Sequence, residues 1–75
     1  MKIKEMKYVG IKQVLRAAKT EKLLRVYIGK DVEKNIVEEL IKICSEKHIE
    51  IIYVETMKEL GKLAGIEVRA SVAAE

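Results

Sequence analysis

The apolar residues of this chain fall into short continuous runs separated by stretches with helical spacing. Two of the runs, Leu23 to Ile28 and Ile49 to Val54, are almost entirely apolar and are predicted to be strands buried on both faces. Tyr8-Val9 is predicted to be a shorter strand, and Ala70 to Ala73 the last one. Strands that alternate with helices require crossover connections. The pattern therefore predicts an α/β fold, a three-layer α/β/α sandwich with a mixed four-stranded sheet.

Three helices are predicted between these strands. The first covers Ile11 to Lys19, where apolar residues recur at helical spacing. The second runs to about Lys47, and Asp31 is predicted to cap it by accepting N–H groups of its first turn. The third opens with Thr56-Met57-Lys58-Glu59, which fits a capping box. It is predicted to end at Gly65, because glycine readily adopts the left-handed conformation that follows many helices.

The length and composition of the chain indicate one small folded domain, residues 1–75. Hydrophobic residues make up 49% and charged residues 36%, so the chain has enough apolar surface to fold. No apolar run has the length of a membrane span, and the lysine-rich start is not followed by the apolar segment of a signal peptide. A lone cysteine, Cys44, fits a reducing compartment and a buried structural thiol. We therefore expect a cytoplasmic protein.

Charge is distributed unevenly along the chain. Residues 1–30 contain nine Lys and Arg against two Glu, whereas residues 31–64 contain five Lys against eight acidic residues. Part of the early charge lies in Lys2 to Lys7, a short basic segment predicted to form a helical turn. Such polarisation indicates a basic face directed at a polyanion.

The helix after Gly10 carries the most informative charges. Lys12, Arg16 and Lys19 have i, i+4 and i+7 spacing and fall on one stripe, with Gln13 beside it. A glycine at the helix start lets another backbone approach, and the free N–H groups there attract phosphate. Lysine and glutamine in the first turn could also reach guanine or adenine edges. Taken alone, the stripe is about equally well explained as a solvated lysine-rich face.

The residue types present give little support for a catalytic function. The chain has one His, one Cys and one Asp, too few for a nucleophilic triad or a zinc site, and no phosphate-binding glycine loop. The eleven glutamates leave an acid pair open. We predict that the protein is not an enzyme and binds no metal or cofactor.

Two segments resemble a known family. Val9-Gly10-Ile11-Lys12-Gln13-Val14-Leu15-Arg16-Ala17 is similar to the RNA-recognition helix of the L-seven-Ae family of kink-turn-binding ribosomal proteins. Thr56-Met57-Lys58-Glu59-Leu60-Gly61-Lys62-Leu63-Ala64-Gly65-Ile66-Glu67-Val68 resembles the second signature of the family, and the spacing between the segments also matches. The archaeal pattern has Gly-x-Asn-Glu with a lysine three residues on. The Lys-Gln pair found here resembles short bacterial members of the YbxF-like kind.

The resemblance implies roles for individual residues. In this family the glycine-opened helix enters the widened major groove beside tandem sheared G·A pairs, and the loop after the third helix covers a nucleotide flipped out of the kink. The first role falls to Gly10, Lys12, Gln13 and Arg16. The second role falls to Ile66, Glu67, Val68 and Arg69. Lys30 is also expected to reach RNA, and Lys19 and Lys22 are expected to contact phosphates. By residue type alone, the two apolar loop residues could equally pack in the core.

The predicted function is therefore binding of kink-turn RNA in a ribosome or another ribonucleoprotein. The expected partner is a structured RNA with a kink-turn, bound by a monomer, with no membrane and no small-molecule substrate. Ribosomal RNA, a riboswitch leader and a ribonucleoprotein scaffold fit equally well. The alternative is a protein-interaction module on the same fold, which would have an acidic or apolar patch and a broken Gly-Lys-Gln motif.

Overall fold

The computed structural model describes residues 6–66 and 68–75. Within them, no helix combines the length and the apolar character that crossing a bilayer requires. The predicted turn at Lys2 to Lys7 lies mostly outside the described residues, and Met6 and Lys7 have no regular secondary structure. The elements in chain order are β1 (Tyr8–Val9), α1 (Ile11–Thr20), β2 (Arg25–Gly29), α2 (Lys34–Lys47), β3 (Glu50–Val54), α3 (Met57–Leu63) and β4 (Val72–Ala74).

The four strands form one mixed sheet in the order β1-β4-β2-β3. Strands β2 and β3 are parallel, as expected for a crossover through α2, whereas β4 is antiparallel to both β1 and β2. Its insertion between β1 and β2 places the start of α1, the loop before β4 and the ends of β2 and β3 at one end of the sheet. The predicted mixed four-stranded sheet is confirmed.

Two apolar clusters lie on opposite faces of the sheet and complete the three layers. The first joins α1 and α2 to the sheet through side chains such as Val14, Ile28 and Leu40, and includes the buried Cys44. Burial raises the pKa of this thiol above its ordinary value, which keeps it protonated and favours a structural role. The second cluster packs α3 on the other face, with Leu60 fully buried at its centre.

The expected role of Asp31 is wrong. Helix α2 begins three residues later, at Lys34, and its N-cap residue Glu33 makes no side-chain capping bond. The Asp31 carboxylate instead accepts a hydrogen bond from the backbone N–H of Met57, 2.8 Å away, at the start of α3. The parallel pairing of β2 with β3 sets Gly29 beside Val54. The segments that follow the two strands are therefore neighbours in space.

Helix α3 has both of its predicted ends. The Thr56 hydroxyl accepts a hydrogen bond from the N–H of Glu59, 3.0 Å away, which is one of the two hydrogen bonds of a capping box. At the other end Gly65 has a φ of 79° and donates to the carbonyl of Lys62, while Ile66 donates to the carbonyl of Gly61. This pair of hydrogen bonds is a Schellman motif, and it directs the chain into the loop before β4.

Candidate nucleic-acid interface

Gly10 connects β1 to α1 in a conformation that other residues rarely adopt. Its φ is 101° and its ψ 150°, and its N–H donates to the carbonyl of Val72 at 2.9 Å. A Cβ at this position would have no atom within 4 Å. Glycine is therefore required by the backbone dihedral angles rather than by crowding, and the space at the helix start is open to a ligand.

The buried and exposed sides of α1 are those that the spacing of its residues predicts. Val14, Ala17 and Ala18 are buried against the sheet and α2, whereas the side chains expected to contact RNA are exposed. The exposed set is Lys12, Gln13, Arg16 and Lys19. No acidic residue lies in the first turn, and no side chain of the described residues caps the helix start. The positive end of the helix dipole is thus available to an anion beside Lys12.

A groove of about 490 Å³ lies beside the start of α1. Its walls come from five segments: the start of α1, the β2–α2 connection, the start of α2, the start of α3 and the loop before β4. The lining residues are Ile11, Asp31, Val32, Glu33, Ile36, Met57, Arg69 and Ser71. We name it the recognition groove. The fold thus brings Ile11, which lies between Gly10 and Lys12, to the same surface as Arg69. The glycine-opened helix and the loop before β4 are far apart in sequence.

The loop before β4 divides its apolar residues between core and solvent. Ile66 is half-buried and packs against the α3-side cluster, whereas 69% of the Val68 surface is exposed. Arg69 is also exposed and lines the recognition groove. Glu67 lies outside the described residues. Packing within the chain therefore accounts for Ile66 but not for Val68.

Gly61 supports this loop, and the sequence analysis did not single it out. A Cβ at Gly61 would overlap the carbonyl oxygen of Val68 and approach the Cα of Arg69 to 3.1 Å. The loop therefore rests directly on the helix backbone. The available sequence signal was the glycine itself, because glycine inside a predicted helix costs about 1 kcal/mol relative to alanine and requires a compensating reason.

Several basic residues of the first thirty are paired with carboxylates. The ammonium group of Lys19 lies 3.0 Å from Glu39 on α2, and that of Lys30 lies 2.7 Å from Glu55. The hydrogen bond from Lys30 holds the pKa of Glu55 below its ordinary value. Exposed pairs of this kind are weak, because water and salt screen them, so a phosphate can replace the carboxylate.

Arg25 contributes less to the basic face than Lys19 or Lys30, because it pairs with two carboxylates. It bridges Glu50 on β3 and Glu75, with distances of 3.1 and 2.8 Å. By contrast, Lys12 and Arg16 form no ion pair with any described residue. The positive charge of α1 that is unpaired among the described residues therefore lies at Lys12 in the first turn and at Arg16 in the middle of the helix.

Fold and site together define a small α/β/α domain with a glycine-opened basic helix beside an open groove. The chain belongs to the ribosomal protein L7Ae/L30e/S12e/Gadd45 family, whose model matches residues 2–75. The resemblance found in the two sequence segments is thereby confirmed.

Individual relatives agree with this assignment. The chain is 48% identical over 67 residues to an RNA-binding protein of Caldanaerobacter subterraneus subsp. tengcongensis, covering 89% of this chain and 82% of that protein. It is 32% identical over 66 residues to the RNA-binding protein YbxF of Geobacillus stearothermophilus, covering 88% and 80%. The fold matches the solved Giardia lamblia 15.5kD RNA binding protein with a TM-score of 0.80 at 24% identity. That match covers 88% of this chain and 56% of the Giardia chain.

Proposed function

We propose that this protein binds RNA and recognises kink-turns, in which tandem sheared G·A pairs lie next to a bulge, within the ribosome or another ribonucleoprotein. The observation that carries the proposal is the open, glycine-started N-terminus of α1, with Lys12, Gln13 and Arg16 exposed on that helix and the recognition groove beside its first residue, Ile11. The RNA-binding relatives support the same class of ligand. The intact Gly-Lys-Gln order favours RNA over the protein-interaction alternative.

In the proposed complex, the start of α1 enters the groove of the RNA where the bulge widens it. A regular A-form major groove is too deep and narrow for side chains, whereas a bulge exposes base edges. Lys12 and Gln13 contact guanine and adenine edges, and the free N–H groups of the first turn of α1, after Gly10, accommodate backbone phosphate. Arg16, one turn further along, binds the flanking phosphate backbone.

The loop before β4 binds the nucleotide that leaves the kink. Val68 is exposed and apolar, so it can cover the face of an extruded base, while the Arg69 guanidinium at the groove pairs with a phosphate. Ile66 holds the loop to the core, and the family resemblance assigns Glu67 to the same RNA contact. At the border of the site, Lys19 and Lys30 exchange their carboxylate partners for phosphates.

The test of this function compares two RNAs of equal length. One stem has a three-nucleotide bulge flanked by tandem G·A pairs, and the other is fully paired. At moderate salt the protein should bind the bulged stem much more tightly, and replacing both G·A pairs should abolish the difference. Equal affinity for the two stems would reduce the interaction to non-specific electrostatics.

Val68→Ser should weaken binding of the bulged stem without unfolding the protein. Because Val68 is exposed, the substitution should change stability by less than about 0.5 kcal/mol and the melting temperature by less than about 4 °C. The loss of affinity should be smaller when the extruded nucleotide is abasic, because the apolar contact is then already absent. Calorimetry and RNA titration measure both quantities.

The two changes form a double-mutant cycle, in which only groups that interact give a non-additive term. Additive losses, or a large fall in melting temperature, would place Val68 in the core and leave α1 as the supported RNA contact.

A further inference from the structure

One row of residues crosses the whole sheet at the end that carries the recognition groove. Gly10 follows β1 and hydrogen-bonds to Val72 of β4, which pairs with Ile28 of β2, which in turn pairs with Tyr53 of β3. Adjacent strands are about 4.8 Å apart. Three such steps place the backbone of Tyr53 about 14 Å from that of Gly10, a distance that a few nucleotides can span.

A second groove, of about 420 Å³, lies at the Tyr53 end of this row. Its wall is mostly apolar, formed by β2, the first half of α2 and Tyr53, with two lysines among the lining residues. The lining consists of Ile28, Gly29, Lys30, Val32, Lys34, Val37, Ile41 and Tyr53. Val32 also lines the recognition groove. The two grooves are therefore adjacent, and a bound strand can pass from one to the other across the β2–α2 connection.

Tyr53 differs from the other two tyrosines of the chain. Tyr8 and Tyr27 donate hydrogen bonds to Glu21 and Glu75, each at 2.7 Å. Among the described residues Tyr53 has no such partner, and 51% of its surface is exposed. An exposed aromatic side chain next to lysines offers a stacking surface for a base together with a counter-charge for its phosphate.

We propose that this second groove binds one unpaired nucleotide of a single strand that continues from the kink-turn. The base stacks on Tyr53 against the apolar wall, and Lys34, which has no ion pair among the described residues, binds the phosphate. Lys30 contributes less, because in the proposed kink-turn complex it already binds a phosphate at the border of the first site. This inference rests on the proposed kink-turn function and extends its footprint to the edge strand of the sheet.

The test uses the bulged stem with and without a single-stranded extension of five adenosines, placed at either end in turn. One of the extended RNAs should bind the wild-type protein at least about fivefold more tightly than the unextended RNA, the lower end of what a stacked base contributes. Tyr53→Phe should retain this gain, Tyr53→Leu should lose it, and Lys34→Gln should reduce it and lower its salt dependence.

The unextended RNA separates this inference from the proposed function. Tyr53→Leu should leave the affinity for the unextended RNA unchanged. If the proposed kink-turn function is wrong, the wild-type protein will not prefer the unextended bulged stem. If only the second groove is wrong, the wild-type protein will bind that stem and the extension will add nothing. Leu24→Ala serves as a control, since Leu24 is another exposed apolar residue, 73% exposed, beyond the opposite end of β2. The inference would be overturned if neither extension strengthened binding, as expected for a groove that takes a protein segment, or if Tyr53→Leu kept the full gain.

Discussion

Lys12→Ala is expected to remove roughly 1–3 kcal/mol of the preference for a bulged stem over a paired stem, the value of one bidentate base contact. Lys12 lies in the first turn of α1, exposed beside the recognition groove, without a carboxylate partner among the described residues. Gln13→Ala should act in the same direction. Affinities of both variants for both RNAs, measured at several salt concentrations, give the change in preference directly.

Lys22→Ala is the matched control for this experiment. It removes the same charge from an exposed position beyond the end of α1. The loss of this charge should therefore weaken binding of both RNAs in the same proportion. It should also lower the slope of log affinity against log salt concentration by about one unit. Lys19→Ala should behave similarly, with a smaller effect because Glu39 already holds the ammonium group. If Lys12→Ala also weakened both RNAs equally, Lys12 would contact phosphate and not a base.

Gly61→Ala is expected to destabilise the protein and displace the loop that carries Val68 and Arg69. Helix propensity alone predicts a gain of about 1 kcal/mol for alanine. The new methyl group, however, would overlap the Val68 carbonyl, and overpacking of this kind costs about 1–3 kcal/mol. We expect a net loss of stability and, because the loop must move, about tenfold weaker binding of the bulged stem, or about 1.4 kcal/mol.

Urea unfolding and RNA titration of the folded variant measure the two effects of Gly61→Ala separately. Lys62→Ala is the control, since Lys62 is the next residue of the same helix and its side chain is exposed. It should change neither quantity appreciably. A Gly61→Ala variant that gained stability and bound RNA as the wild type does would show that helix propensity dominates and that the loop does not depend on this contact.

The ion pairs on the surface affect how strongly the protein attracts a polyanion. Among the described residues, Lys12, Arg16 and Arg69 have no carboxylate partner, whereas Lys19, Arg25 and Lys30 are matched with carboxylates. Long-range attraction to any polyanion is therefore weaker than the count of early lysines and arginines implies. In the proposed complex, Lys12 and Arg69 contribute this unpaired charge where the RNA bulge is contacted, which favours discrimination over general affinity.

The sequence alone determined the elements and the main parts of the site. Helical spacing located α1 and its exposed basic stripe, the mostly apolar runs located β2 and β3, and the capping residues located both ends of α3. These features depend on local backbone preferences and on which side chains avoid water, and both are properties of short segments. The glycine at the start of α1 was identifiable for the same reason.

Tertiary structure decided which segments meet. Asp31 is close in sequence to α2, yet it caps α3, because parallel pairing of β2 with β3 aligns the ends of those strands. The pairing of Lys19 with Glu39 and the contact between Gly61 and the Val68 carbonyl likewise join segments distant in sequence. Such contacts depend on strand order and helix placement, which the pattern of a single segment does not encode. The sequence therefore indicated the start of α1 and the loop before β4, and the order of the strands determined that both border one groove.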